Sequence, residues 1–156
     1  MDVTEDLLDG VIDATRAMVA IATASIAASP VEVTLPQFRA LVVLSGRSPA
    51  TMSDVGRATG LSPSSTTRLV ERLERKGLVA RRPSEVSRRS IEVRLTEEGT
   101  AVVDVVLATR RDRVREVLAA IPADRRELVR AAFVDFARAA GSVPGTPYIE
   151  GARAGA

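Results

Sequence analysis

Near the N-terminus, apolar residues recur at three- and four-residue steps: Leu7, Leu8, Val11, Ile12, Met18, Val19, Ala22 and Ile26. That period predicts one long helix from Thr4 to about Ala28, ended by Ser29-Pro30. Thr34 and Gln37 stand at capping-box spacing around Pro36, so a short helix should follow through Phe38, Leu41, Val42 and Leu44 and stop near Gly46. The segment SPATMSDVGRATG predicts another, capped by Thr51 and Asp54, with Val55 and Ala58 inward and Gly60 as its left-handed terminator. Ser62-Pro63 opens a further helix, which Gly77 closes.

After Gly77 the period shortens to two. Leu78 to Arg82 and Ile91 to Leu95 read as strands; Ile91, Val93 and Leu95 alternate with Glu92 and Arg94, as in a half-buried strand. The polar stretch from Pro83 to Ser90 joins them as a hairpin with a basic tip at Arg88 and Arg89. Thr96 can cap a second long helix through Val102, Val103, Val106, Val114, Val117 and Leu118. A third is expected from Pro122 through Leu128, Val129, Phe133 and Phe136, with Gly141 as its stop. Residues 142–156 lack periodicity and read as a flexible tail.

Helix, Gly turn, capped helix and two-stranded hairpin, in that order, predict a winged helix-turn-helix: a mainly α fold with a small β-wing. One domain is expected over residues 1–141, with a DNA-binding core at about 34–96 and outer helices at about 4–28 and 96–140.

Composition narrows the picture. Aromatics make up only 3% of the 156 residues, so the core must be Val, Leu, Ile and Ala, with few large anchors. A partner subunit could supply the missing burial. Cysteine and histidine are absent, which excludes disulfides, Cys/His metal sites, cysteine redox sensing and His-based catalytic sets. Acids such as Asp104 and Asp112 read as solvated helix positions, so neither enzymatic chemistry nor a cofactor is expected. The opening MDVTEDLLDG is acidic, unlike a secretory leader, and the apolar run from Ala17 to Ala28 is short for a bilayer. A soluble, cytoplasmic protein with no membrane partner is the expectation.

Charge is unevenly placed. Between Arg57 and Arg94 there are ten basic residues and four acids, a block of +6 in a chain whose net charge is +2. Such a block suggests a face for a polyanion. Its centre is LSPSSTTRLVERLERKGLV, from Leu61 to Val79, where five of the six residues from Ser62 to Thr67 carry hydroxyls. Projected at about 100° per residue, Leu69, Val70 and Leu73 share one face with Thr66, while Ser64, Arg68, Glu71 and Arg75 lie opposite, flanked by Thr67 and Arg72. Ser62 is then the cap. Ser64, Ser65 and Thr67 are small enough to approach a groove closely, Arg68 is placed for a bidentate contact to guanine, and Arg72 for phosphate. Arg75 and Lys76 fit a surface ion pair or a helix C-terminal charge as well as they fit DNA.

The run from Leu35 to Gly99 closely resembles the MarR family of bacterial transcriptional regulators. The matching pieces are Leu61-Ser62-Pro63-Ser64, Thr67-Arg68-Leu69-Val70, Leu73-Glu74-Arg75-Lys76-Gly77-Leu78-Val79, Arg88-Arg89 and Val93-Arg94-Leu95-Thr96-Glu97-Glu98-Gly99. The likeness is strong over the central third to half of the chain; the flanking helices match in length and placement. It implies a homodimer held by the outer helices, with recognition helices in successive major grooves of double-stranded DNA and wing arginines in flanking minor grooves. Steric repression at a pseudo-palindromic operator follows, with release by a hydrophobic or anionic aromatic ligand as a further implication. Arg16, Met18, Phe38 and Arg39 would border such a ligand site, although core packing or a surface ion pair explains each as simply. Family members commonly carry an Asp two residues before the wing arginine; Ser87 stands there and offers only a neutral hydrogen bond in place of a charge-assisted one. A more mobile wing tip and weaker selectivity would follow. The alternative is a low-specificity architectural DNA binder without an effector.

Overall fold

Five helices begin at a side chain that accepts a hydrogen bond from an otherwise orphaned helix amide. The structure, a computed structural model, describes residues 3–47, 49–84 and 90–142. Helix α1 (Glu5–Ala27) starts after Thr4, whose Oγ1 accepts from the Leu7 amide at 3.3 Å. Helix α2 (Leu35–Gly46) starts with the Thr34–Gln37 capping box and α3 (Met52–Thr59) with the Thr51–Asp54 box. Helix α4 (Pro63–Arg75) follows Ser62, and α5 (Glu97–Ala119) follows Thr96.

The wing holds three strands rather than two. β1 (Ala50–Thr51), β2 (Val79–Pro83) and β3 (Ile91–Leu95) form an antiparallel sheet in the order β1-β3-β2. Arg81 pairs with Val93 and Pro83 with Ile91, while Ala50 takes the other side of Val93. Two residues are too few to show alternation, which is why the periodicity misses β1. It also places β2 one residue early: Leu78 belongs to the turn, where its carbonyl accepts the Thr96 amide at 3.2 Å. Thr96 ties this corner together, because its Oγ1 donates to the Gly77 carbonyl at 2.6 Å and accepts from the Gly99 amide at 3.0 Å. The first turn of α5 lies so close that a Cβ on Gly99 would stand 2.0 Å from the Leu78 carbonyl oxygen. Glycine at 99 is therefore a requirement of packing.

The last helix also starts later than expected. Pro122 adopts an extended conformation, Ala123–Arg125 form a 3₁₀ turn, and α6 spans Arg126–Ser142. Arg126 explains the break: its guanidinium donates to the carbonyls of Ala119 and Ile121, both at 3.0 Å, covering the end of α5. Helix α6 continues one residue past Gly141. Among the described residues positive φ occurs only at Gly60 and Gly77, so Gly141 is not a left-handed stop.

The core lies in the centre of the chain. Phe38, Leu41 and Leu44 from α2 meet Val55 of α3, Val70 and Leu73 of α4, Val93 of β3 and Val106 of α5, all essentially without exposure. The outer helices contrast with this. Ser25 is the one buried residue of α1, and among its described residues α6 has none. By length and composition α1 could cross a membrane, with a mean hydropathy of 1.3 in its most apolar window. The expectation based on residues 17–28 alone therefore understates its reach. It packs along α5 and against α2.

Candidate nucleic-acid interface

The helix-turn-helix is built by local hydrogen bonds before any core contact is considered. Helix α3 ends at Gly60, with φ +72°, a backbone region an L side chain enters only at a cost. The Leu61 amide turns back to the Gly56 carbonyl at 3.1 Å. Ser62 then sits in an extended conformation, its Oγ accepting from the Ser65 amide at 3.3 Å, with Pro63 supplying a pre-set φ in the first turn. This geometry points the N-terminal end of α4 away from the core.

The hydroxyls divide as the helical projection predicts. Thr66 is buried and its Oγ1 donates to the Ser62 carbonyl at 2.9 Å. Ser62, Ser64, Ser65 and Thr67 are exposed. Ser62 Oγ lies 3.0 Å from Ser65 Oγ and 3.3 Å from Ser64 Oγ, while Thr67 Oγ1 donates to the Pro63 carbonyl at 3.0 Å. The result is a small polar surface at a helix N-terminus, where backbone amides and the helix dipole favour an anion.

The charges on α4 are sorted by the wing. Glu71 stands at pairing distance in sequence from Arg68 and Arg75 on its own helix. Instead it and Glu74 turn toward Arg81 of β2: Arg81 Nη2 lies 2.6 Å and Nε 2.8 Å from Glu74 Oε2, and Nη1 lies 4.0 Å from Glu71. The hydrogen bond from Arg81 holds the Glu74 carboxyl below its ordinary value, and the same bond raises Arg81. Arg68, Arg72 and Arg75 are exposed, and no ion pair or side-chain hydrogen bond engages them among the described residues. Three uncompensated guanidiniums thus line one side of α4 while its acids are occupied on another. The charge run pointed to the arginines; Arg81 is missed because its pairing crosses a turn and a strand.

On the wing, Glu92 accepts from Ser84 Oγ at 2.8 Å and from Arg94 at 3.2 Å. Those bonds, the Ser84 one first, lower its carboxyl pKa. The Ser84 amide bonds the Ser90 carbonyl at 2.8 Å, which closes the hairpin base. Arg82 is exposed beside them. Arg88, Arg89 and Ser87 lie outside the described residues.

The four residues expected to border a ligand site are differently placed. Arg16 is exposed and pairs with Asp13 at 2.7 Å, Met18 is 40% exposed on α1, and Arg39 is half-buried on α2. Phe38 is a core residue, as the packing alternative has it, and the Arg110 guanidinium sits 5.4 Å from its ring centroid. Arg110 Nε donates to the buried Ser25 Oγ at 3.2 Å, and burial lowers the Arg110 pKa. Nothing in the spacing of residues 25, 38 and 110 signals that cluster. A cavity of about 400 Å³ at the α1–α2 corner is lined by Thr23, Ile26, Ala27, Ser29, Glu32, Val33 and Leu35. None of the four candidates lines it.

Comparison with known proteins agrees with this geometry. A model of the MarR family matches residues 32–90. The chain is 38% identical over 71 residues to the HTH-type transcriptional regulator YfiV of Bacillus subtilis, covering 46% of this chain and 44% of that protein. It is 34% identical over 67 residues to the organic hydroperoxide resistance transcriptional regulator of the same organism, covering 43% of this chain and 46% of the relative. These matches therefore span less than half of each curated relative. The crystal structure of RV1404 from Mycobacterium tuberculosis superposes with a TM-score of 0.84 at 33% identity, over 91% of this chain and 98% of that one. The family and these curated relatives are regulators of transcription, not enzymes.

Proposed function

The chain belongs to the MarR family of transcriptional regulators, and on that premise we propose that it is a homodimeric cytoplasmic repressor that occupies a pseudo-palindromic operator. The observation that carries this reading is a set of three exposed arginines, Arg68, Arg72 and Arg75, unpaired among the described residues, beyond a hydroxyl-rich helix N-terminus. Ser64, Ser65 and Thr67 leave room for base edges, Arg68 reads guanine, and Arg72 holds phosphate. Arg88 and Arg89 extend the contact to the flanking minor groove. Repression is steric: a bound dimer covers the promoter.

The outer helices support the dimer. Leu7 and Val19 of α1, Val117 of α5, and Leu128 and Phe136 of α6 are each more than half exposed. Burying such faces against a second copy contributes on the order of 10 kcal/mol before association costs. A dimer also sets two recognition helices at a fixed spacing, which a palindromic site requires.

Release by a small hydrophobic or anionic aromatic molecule is part of the proposal. The chain has no thiol to oxidise and no histidine for a metal, whatever its relative in organic hydroperoxide resistance uses. The second reading, a low-specificity architectural binder, draws on Ser87 in place of the usual wing Asp.

The test is binding to a duplex selected by the protein from a random-sequence pool, against a scrambled duplex, over a salt series. We expect discrimination to persist while affinity falls steeply with salt, as counterion release demands. Equal affinity for both duplexes at every salt concentration rejects the operator reading in favour of the architectural one. Sedimentation of the free protein as a monomer at micromolar concentration rejects the dimer.

A further inference from the structure

Lys76 occupies the last position of the recognition helix. It is the C-cap of α4, and Gly77 after it reverses the chain with φ +71°. A lysine there is expected to stay near the terminal carbonyls of its own helix or in water. It does neither. Its Nζ donates to the backbone carbonyl of Glu32 and lies 3.4 Å from Gln37 Oε1, bridging more than thirty residues of sequence to the α1–α2 corner.

The receiving groups are themselves held. Gln37 is 4% exposed, and its Oε1 also accepts from the Thr34 amide at 3.0 Å, within the capping box of α2. Val33, next to Glu32, is buried in the core. Helix α1 packs on α5 and α2, and α4 packs on α3, β2 and α2. Lys76 therefore makes a polar link between the end of the recognition helix and the place where the outer helices enter the winged unit. Among the described residues it is the one cation at this end of α4 with a side-chain hydrogen bond, unlike Arg72 and Arg75.

We propose that Lys76 is a positioning residue that fixes the orientation of α4 against the α1–α2 corner, so that movement of the outer helices changes how the recognition helix is offered to DNA. The inference rests on the operator-binding reading for its consequence, but not for the link itself. Lys76 acts through α4 and touches no phosphate.

Two measurements on the full chain separate these points. The protein has no cysteine, so Arg16→Cys on α1 and Ser64→Cys on α4 can carry spin labels uniquely, diluted in excess unlabelled chain without DNA. We expect one narrow distance distribution for the parent, a broadened or shifted one for Lys76→Met, and recovery with Lys76→Arg, which keeps a donor of similar reach. An unchanged distribution in Lys76→Met overturns the proposal whether or not DNA is bound. With the pool-selected duplex, Lys76→Met without the labels should bind about tenfold more weakly. Its salt dependence should stay parental, and its tolerance for one inserted base pair between half-sites should increase. A salt slope reduced by about 0.9, with label distances unchanged, identifies Lys76 as a phosphate contact and overturns the proposal. If the parent selects no duplex, the operator reading fails while the label distances still decide the link.

Discussion

Leu73 and Leu128 are both leucines on helices, yet Leu73 is fully buried and Leu128 is 66% exposed. Leu73 belongs to the winged unit, where α2, α3, α4 and the sheet close around one core within this chain. Leu128 belongs to α6, which packs closely only on the turn that precedes it. The winged unit is closed within this chain, with Val102, Val103 and Val106 of α5 completing its core. The outer helices carry apolar faces that this chain alone does not cover. The difference lies in what surrounds the side chain rather than in which side chain it is.

The sharpest way to break that comparison is to truncate both leucines. Leu73→Ala should cost about 2–5 kcal/mol of unfolding free energy through lost contacts and a residual cavity, at any protein concentration. Leu128→Ala should cost less than about 0.5 kcal/mol at concentrations where the protein is dissociated, and more as concentration rises. Urea unfolding at two protein concentrations measures both, and equal, concentration-independent losses would contradict the division. Next in size, Arg68→Ala should weaken binding to the selected duplex by about 1–3 kcal/mol and relax preference at one base position. Arg72→Ala should weaken all duplexes alike and lower the salt slope by about one. Neither change should alter the protein's sedimentation.

A smaller effect is expected at the start of the recognition helix. Ser62→Ala removes the side chain that caps the Ser65 amide and should lower stability by about 1 kcal/mol. Thr4→Ala at α1 removes a comparable cap on a helix held chiefly by neighbours, so thermal unfolding should register the first more clearly. The smallest effect is pH-dependent. Glu74 is held below its ordinary value of 4.5 by the Arg81 hydrogen bond, so its stabilising contribution is complete above that value. It is lost as pH falls through the lowered folded-state value. Both partners are near one-third exposed, so screening leaves only a few tenths of a kcal/mol. Glu74→Gln should therefore flatten the melting profile slightly below pH 4.5; an unchanged profile would show that the clamp adds nothing to stability.

Much of the local structure was legible beforehand. Thr34, Thr51, Ser62 and Thr96 announced their helices because a cap is a contact between residues three positions apart, and sequence spacing is then distance in space. The division of Thr66 from Ser64, Ser65 and Thr67 was legible for the same reason, since one helix face follows from its period. β1 was not, because its pairing with β3 joins residues about forty positions apart and its two residues carry no pattern. The late start of α6 was not, because it depends on Arg126 reaching back over the end of α5.

By itself, then, the sequence determined the helices, their caps, the left-handed turn at Gly60 and which side of α4 is polar. All of these are set by interactions within a turn or two of chain. Only the tertiary structure decided which charges remain available on that side. Arg81 draws Glu71 and Glu74 away, Lys76 is spent on the α1–α2 corner, and Arg68, Arg72 and Arg75 are left unpaired among the described residues. A side-chain charge bonds whichever partner the fold brings within a few ångströms: for Glu74 that is Arg81 on the next strand, and for Lys76 the Glu32 carbonyl and the Gln37 amide oxygen.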